Sequence, residues 1–297
     1  MAHNSSFNLD SLVVNVRTAA IYAAFENSMF LGGGVVPVVN TPAGSDTIQV
    51  PLLNNFADGT VQEETAAAGW GSAGAFADDL VANSLTDNVA TIQTKLIANR
   101  GIMRDTGGLS PALLGEQLGK SISRRFDNDL VAHFASFGGA TNPVITGSGT
   151  ANALKTTDLL KAKTMLMSNA ISDDLVAILH PEQAHNIVNE IQTTAYAGGD
   201  VQSEALRRGY LGNLYGIDVM ISSYVPVDES AADHMFGGIV MTKDAMRIAM
   251  QRNIQVEVAR RPEAVGFDVV ASLIANSGVV DTANGVLISS TGLTVET

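Results

Sequence analysis

The chain has 297 residues, 46% of them apolar and only 16% charged, with 17 basic against 30 acidic side chains. That length buries a substantial core in one large or two ordinary domains, while the charged share falls below the roughly one quarter of an average soluble domain. Absence of cysteine excludes a disulfide framework and a thiolate metal site, and the lack of a basic stripe argues against a dedicated nucleic-acid reader.

Residues 1–45 read as an arm. Ser11–Phe30 carries Leu12, Val16, Ala19, Ala20, Ala23 and Met29 at weak helical spacing, Gly32-Gly33-Gly34 breaks it, and Val35–Val39 resumes as an extended piece around Pro37. The start lacks a basic segment followed by an apolar one, and no run reaches eighteen apolar residues, so neither a secretory signal nor a membrane span is expected. A reducing cytoplasm is the expected site of synthesis. The first 88 residues hold nine acids and a single base, Arg17, which leaves the rest nearly balanced.

Residues 46–97 form two alternating strands, Thr47–Leu53 and Val89–Ile97, around about 35 polar, acidic, Gly/Ala-rich residues. A loop of that length is out of place inside a compact domain. The spacing predicts a long two-stranded excursion that rests on a neighbour.

Ser110–Phe137 is the strongest helix, with Ser110 as cap and Pro111 at its first position. Leu114, Leu118, Ile122, Phe126, Leu130 and Phe134 recur every four residues. That spacing overshoots 3.6 per turn, so the stripe rotates by about 40° per step and buries different faces at its two ends. Gly138-Gly139 stops it. Further on, Thr157 caps a helix running to Met167, Leu175–Leu179 is a buried strand, His180 caps the helix that Pro181 opens, and Ile217–Ser222 is a strand after a turn at Gly212 or Gly216. The end is β-rich: Met246, Ile248 and Met250 share one strand, Ile254, Val256 and Val258 the next, Arg261-Pro262-Glu263-Ala264 turns, Phe267, Val269 and Ala271 return, and Val286–Ile288 closes the chain.

Chemistry is sparse in this pattern. Gly69-Trp70-Gly71-Ser72-Ala73-Gly74 matches G-x-G-x-x-G, but Glu63–Ala68 before it is no strand and its acids would repel a pyrophosphate. His3, His133, His180, His185 and His234 are scattered, and the five-residue step from His180 to His185 separates them by about 140° on a helix. No nucleophile elbow or phosphate loop occurs, and the adjacent pairs Asp78-Asp79 and Asp173-Asp174 read as solvated surface. No catalytic, cofactor-binding or metal-binding residue is therefore assigned. Positive charge concentrates in three pairs, Arg124-Arg125, Arg207-Arg208 and Arg260-Arg261, each either a solvated face or a receptor for the acidic first third of another copy. With Glu63 and Glu64 they are the candidate inter-subunit residues.

The order of these parts resembles the Hong Kong 97-like capsid fold of tailed-phage major capsid proteins. Leu211-Gly212-Asn213-Leu214-Tyr215-Gly216-Ile217-Asp218-Val219 through Val225-Pro226 is similar to a segment of that family's axial domain. Phe236-Gly237-Gly238, Lys243-Asp244-Ala245 and Gln255–Val258 follow as in many members, and His180-Pro181 after an apolar strand is also familiar there. The resemblance implies an α+β chain with an N-terminal arm at 1–45, an E-loop at 46–97 and a first part of the peripheral (P) domain at 98–150 containing the spine helix, about 110–137. An axial (A) domain at 151–237, a second P-domain part at 238–275 and a return to the A-domain at 276–297 complete it. It implies a non-enzymatic, cofactor-free subunit of an icosahedral virion shell, assembled in the host bacterial cytoplasm as hexamers and pentamers around double-stranded DNA held by weak non-specific contact. A separate scaffolding protein, a portal and a cement protein are the further partners implied, with no membrane. Some members crosslink through an E-loop lysine, but the lysines here are Lys95, Lys120, Lys155, Lys161, Lys163 and Lys243, none of them at the tip of the excursion, so such a crosslink is not expected. An encapsulin-like cellular shell of the same fold and a dinucleotide-binding α/β enzyme are the rival readings.

Overall fold

The computed structural model describes residues 9–31, 34–42, 44–52, 88–104, 111–139, 142–169, 171, 174–193, 212–229, 234–264 and 266–292. In chain order the elements are α1 (Leu9–Asn27), β1 (Val38–Asn40), β2 (Thr47–Leu52), β3 (Asn88–Gln93), β4 (Lys95–Arg104), α2 (Pro111–Val131), β5 (Ile145–Thr146), α3 (Thr156–Ser168) and β6 (Leu175–Leu179). They continue with α4 (Pro181–Thr193), β7 (Asn213–Leu214), β8 (Ile217–Ile221), β9 (Val227–Asp228), β10 (Met235–Thr242), β11 (Met246–Arg261), β12 (Gly266–Val279) and β13 (Gly285–Thr291). The chain divides into two compact units, Met1–Ile48 with Thr91–Thr297, and Gln49–Ala90. β2 and β3 pair with each other as a separate two-stranded sheet.

In the larger unit, a four-stranded sheet runs β1-β11-β12-β4. Its centre is the β11–β12 hairpin, closed by a short 3-10 turn at Pro262–Ala264. The apolar pattern predicts two strands within Met246–Val258, but β11 is one strand of 16 residues. Polar Gln251, Arg252 and Asn253 interrupt the alternation, and the ladder absorbs the surplus as register shifts between Met250 and Gln255 rather than turning. Similarly, the predicted strand Val89–Ile97 is broken at Thr94, whose amide donates to the Asp46 carbonyl, and only β4 joins β12.

The stripe of α2 lies in the core as its spacing predicts: Leu118, Ile122, Phe126 and Leu130 are all buried. The helix tightens after Val131 into a 3-10 segment, Ala132–Phe137. With three residues per turn, Phe134 and Phe137 then fall on one face, and both are fully buried.

In the described part of 1–45 the weak helical spacing is realised as α1. α1 packs along α2 within the same subunit, burying Val16, Ala20, Ala23 and Ala24. The approach is close because α2 offers no side chain there. A Cβ on Gly115 would collide with the Val16 carbonyl, and one on Gly119 with the Ala20 carbonyl.

The second sheet has seven strands in the order β5-β13-β10-β6-β8-β7, with β9 attached to β10. Both faces of β6 are covered, and all five of its residues are buried. Val176 and Ile178 join the core that contains α2, whereas Leu175, Ala177 and Leu179 join the core under α3 and α4. Sheet membership differs from the expected boundaries. β5 lies before 150 and β10 straddles 238, yet both pair with β13 in this sheet, and β12 runs past 275 to Val279 beside β11. Sequence order does not reveal which strand pairs across such long connections.

α3 begins at Thr156, so Thr157 is inside the helix rather than its cap. Its start is organised by Asp158, which is fully buried and accepts from the Ser148 amide (2.9 Å), the Lys155 amide (3.1 Å) and Lys161 Nζ (3.0 Å). Burial alone would raise this carboxyl, but the bonds from Ser148, Lys161 and Lys155 outweigh it and hold it below the usual range.

Two outcomes test these contacts. Gly119→Ala would add up to about 1 kcal/mol in an exposed helix, but the Ala20 carbonyl blocks its Cβ, so the melting temperature should fall; a rise would show that the helices do not touch here. Asp158→Ala should cost about 1–3 kcal/mol for each buried donor left unpaired. The wild-type contribution is present above the unfolded carboxylate pKa and lost as pH falls through the lower folded value. Stability curves of wild type and Asp158→Asn should therefore differ by a constant amount above about pH 4 and converge in strong acid.

Candidate inter-subunit surfaces

Four of the eight candidate residues fall within the described chain. Arg124 and Arg125 lie on the exposed side of α2, where Arg125 pairs with Asp129 one turn on (3.1 Å). Their neighbour Lys120 likewise pairs with Glu116 on the same helix. Arg260 and Arg261 end β11 beside the Pro262–Ala264 turn, with Arg260 exposed and Arg261 half-buried. Arg261 acts electrostatically on Asp268, whose main partner is Arg100 across the ladder (2.6 Å). Hydrogen bonding to Arg100 holds the Asp268 carboxyl below its ordinary value. Glu63, Glu64, Arg207 and Arg208, with the Gly69–Gly74 loop, lie outside the described residues.

The sheet β1-β11-β12-β4 also presents a surface that charge counting does not find. One face of β4 packs on α2: Gly101 has Leu114 against it, and Asn99 Nδ2 donates to Ser121 Oγ. The opposite face carries Leu96, Ala98, Arg100 and Ile102, with Ile274, Ser272, Val270 and Asp268 beside them on β12. Leu96 is 64% and Ile102 48% exposed. The available signal was that β4 is apolar at both parities, Ile97 inward and Leu96 and Ile102 outward, where a half-buried strand alternates.

Around α4 the polar groups serve structure. His180 Nδ1 accepts from the Glu182 amide (3.3 Å), the Gln183 side chain accepts from the His180 amide (3.0 Å), and the imidazole stacks on Phe236 with centroids 4.1 Å apart. This is the capping role expected of His180. Burial lowers its pKa, and burial together with the nearby Lys95 lowers that of His133. His185 and His234 are exposed. Among the described residues, no group of three or more His, Asp or Glu side chains could hold a metal ion, and no helix is long and apolar enough to cross a membrane. Tyr215 and Gly216 form the turn between β7 and β8, both at positive φ (55° and 78°), and Lys163 Nζ donates to the Tyr215 carbonyl. Of the two glycines proposed for this turn, Gly216 lies at its corner.

Comparison with known proteins bears on what these surfaces serve. Residues 102–288 match the family model described as phage capsid protein. No curated protein matches the chain. Among solved structures, the capsid of the cyanophage P-SCSP1u is 18% identical with a TM-score of 0.62, covering 86% of each chain. The capsid of Ralstonia phage GP4 is 10% identical with a TM-score of 0.68, covering 91% of this chain and 93% of that one. A virus-like particle from Pyrococcus furiosus is 11% identical with a TM-score of 0.61, covering 93% and 98%. The spine-like α2, the long β11–β12 hairpin and the second, doubly covered sheet are thus parts of a Hong Kong 97-like capsid fold, and the chain belongs to the phage capsid protein family.

Proposed function

We propose that this chain is a major capsid protein whose copies close into the icosahedral shell of a tailed-phage virion around double-stranded DNA. The observation that carries this reading is the family match over residues 102–288, which spans α2 and both sheets. The chemistry agrees with it. The conspicuous surfaces are an open sheet face and exposed arginines, features suited to contact between copies rather than to turnover. Hexamers and pentamers built around the seven-stranded sheet, tiled by α2 and the four-stranded sheet, are the arrangement this reading implies. Residues 46–97 are the E-loop of the reading, an excursion that rests on a neighbour. A separate scaffolding protein, a portal and a cement protein belong to the same proposal, as does assembly in the host cytoplasm. Weak attraction for DNA follows from a net charge of −13.

Similarity to the Pyrococcus furiosus particle keeps an encapsulin-like shell as the second reading. The family match favours the phage capsid.

Electron microscopy of the purified protein should show closed, icosahedral particles; a monodisperse small oligomer at all concentrations would overturn the proposal. The finer contact is testable by charge swap. We assign Glu63 and Glu64 of one copy to Arg260 and Arg261 of another, with Arg124, Arg125, Arg207 and Arg208 as further receptors for acidic segments. Each exposed pair contributes about 0–1 kcal/mol, yet every subunit repeats it, and salt should weaken it. Arg260→Glu with Arg261→Glu should impair assembly, and adding Glu63→Lys with Glu64→Lys should partly restore it. Normal assembly of the arginine double variant at low salt would remove this contact from the proposal.

A further inference from the structure

Asp127 lies on α2 in the α1–α2 interface and is 2% exposed. Its Oδ1 accepts from Ser28 Oγ at 2.6 Å, and the Met29 amide donates to the same carboxyl. Ser28 is itself a hub. Its hydroxyl oxygen accepts from the Phe30 amide (3.3 Å) and the Leu31 amide (3.0 Å), turning the chain as it leaves α1. Phe30 and Leu31 then drop into the core shared with Leu118, Ile122 and Phe126. The end of α1 is thus fastened to α2 by this carboxylate beside Phe30 and Leu31, whereas the described part of the helix is held by Val16, Ala20, Ala23 and Ala24 with partly buried Ile21, and Val14 and Tyr22 are left largely exposed on its outer side.

We propose that Asp127 is a proton-operated latch: it holds the α1 segment, residues 9–31, on its own subunit most firmly when the carboxyl is neutral, and loosens it when the carboxyl ionises.

The charged groups around Asp127 leave this balance to burial and two donors. On α2 and its extension, Lys120 pairs with Glu116, Arg125 pairs with Asp129, Arg124 points to solvent and His133 lies six residues on. On α1, Arg17 is exposed. On the strands packed against α2, Arg100 pairs with Asp268, and Lys95 acts on His133. None of them enters the balance at Asp127, where burial dominates, the Ser28 and Met29 donors oppose it, and the pKa settles at about 6. A released α1 returns the carboxyl to water and to an ordinary value of about 3.9. The docked state then binds the proton more tightly, so its advantage is complete below pH ~4 and is lost as pH rises through about 6. Docking should weaken about 100-fold in total, of which about tenfold falls between pH 5 and pH 8.

The test is hydrogen exchange of the full-length protein at pH 5 to 8, corrected for intrinsic rates, comparing residues 14–24 with residues 175–191 as an internal reference. In the wild type, protection of the α1 segment should fall about tenfold over this range, with a midpoint near 6, while the reference stays constant. Asp127→Asn keeps an acceptor for Ser28 but carries no charge, and its protection should be high and independent of pH. Ser28→Ala removes a donor that favours the ionised form, so its transition should move to higher pH; this variant serves if Asp127→Asn does not fold. A flat wild-type profile, an Asp127→Asn profile that still titrates, or a reference segment that changes in parallel would each overturn the latch, the last by showing that the carboxyl serves the stability of the whole subunit.

Discussion

Burial of the α2 stripe is the constraint on which the rest of the subunit depends. Leu118, Ile122, Phe126 and Leu130, continued by Phe134 and Phe137 in the 3-10 turns, lie in one core with Val176 and Ile178 of β6, Ile239 and Met241 of β10, and Val269, Ala271 and Leu273 of β12. Each such side chain contributes on the order of 1.5–3 kcal/mol when removed from water. α2 packs on β4 and β12 of the four-stranded sheet, and its 3-10 continuation Ala132–Phe137 reaches β10 and β13 of the seven-stranded one. One helix therefore ties two sheets together. A shell subunit must transmit contacts made at one edge to another without deforming, and close-packed cores have the low compressibility this requires.

The seven-stranded sheet depends on that core for only one of its faces. The alternate residues of β6 and β10 supply the second core with Leu159, Ala162 and Leu166 of α3 and Ile187 of α4. Parallel pairing of β6 with β8 demands cover on both sides; α3 and α4 together cover one face, and the core that contains α2 covers the other. Buried polar groups then lock the corners. Gln183 donates to the Phe236 carbonyl (2.9 Å) and to Ser290 Oγ (2.8 Å), joining α4 to β10 and β13.

Two buried carboxylates show how surroundings decide charge. Asp158 collects two backbone amides and a lysine, and stays well on the ionised side. Asp127, equally buried, has a serine hydroxyl and one amide, and burial wins. The first fixes a corner permanently. The second stands at the junction of α1 with the body, where the fully buried side chains described on the helix are small, Val16, Ala20 and Ala24. A close approach through Gly115 and Gly119 yields good dispersion contact but little apolar area, so a single polar contact carries more weight there than it would in a core of leucines.

Local periodicity by itself determined α2, β6, the cap at His180, the turn at Pro262 and the return strand at Phe267, because each is specified by neighbours within about four residues. The ordered set of short motifs was also sufficient to point to the capsid fold. Sequence could not say that β11 is one strand, because bulges at Gln251–Asn253 are stabilised by the partner strand β12 rather than by local preference. Nor could it place β5 and β10 in one sheet with β13, since those pairings span connections whose closure entropy grows only slowly with length and which leave no periodic mark. The candidate arginines were legible as charge, but their differing engagement was not, because the acids that meet them come from the same helix in one case and from across the β12 ladder in the other. Docking of α1 depended on two glycines and an aspartate that in sequence look like ordinary helix residues. Only tertiary structure brings Val16, Ala20 and Ser28 against them, because complementarity between two helix surfaces is a property of the pair and is written in neither sequence alone.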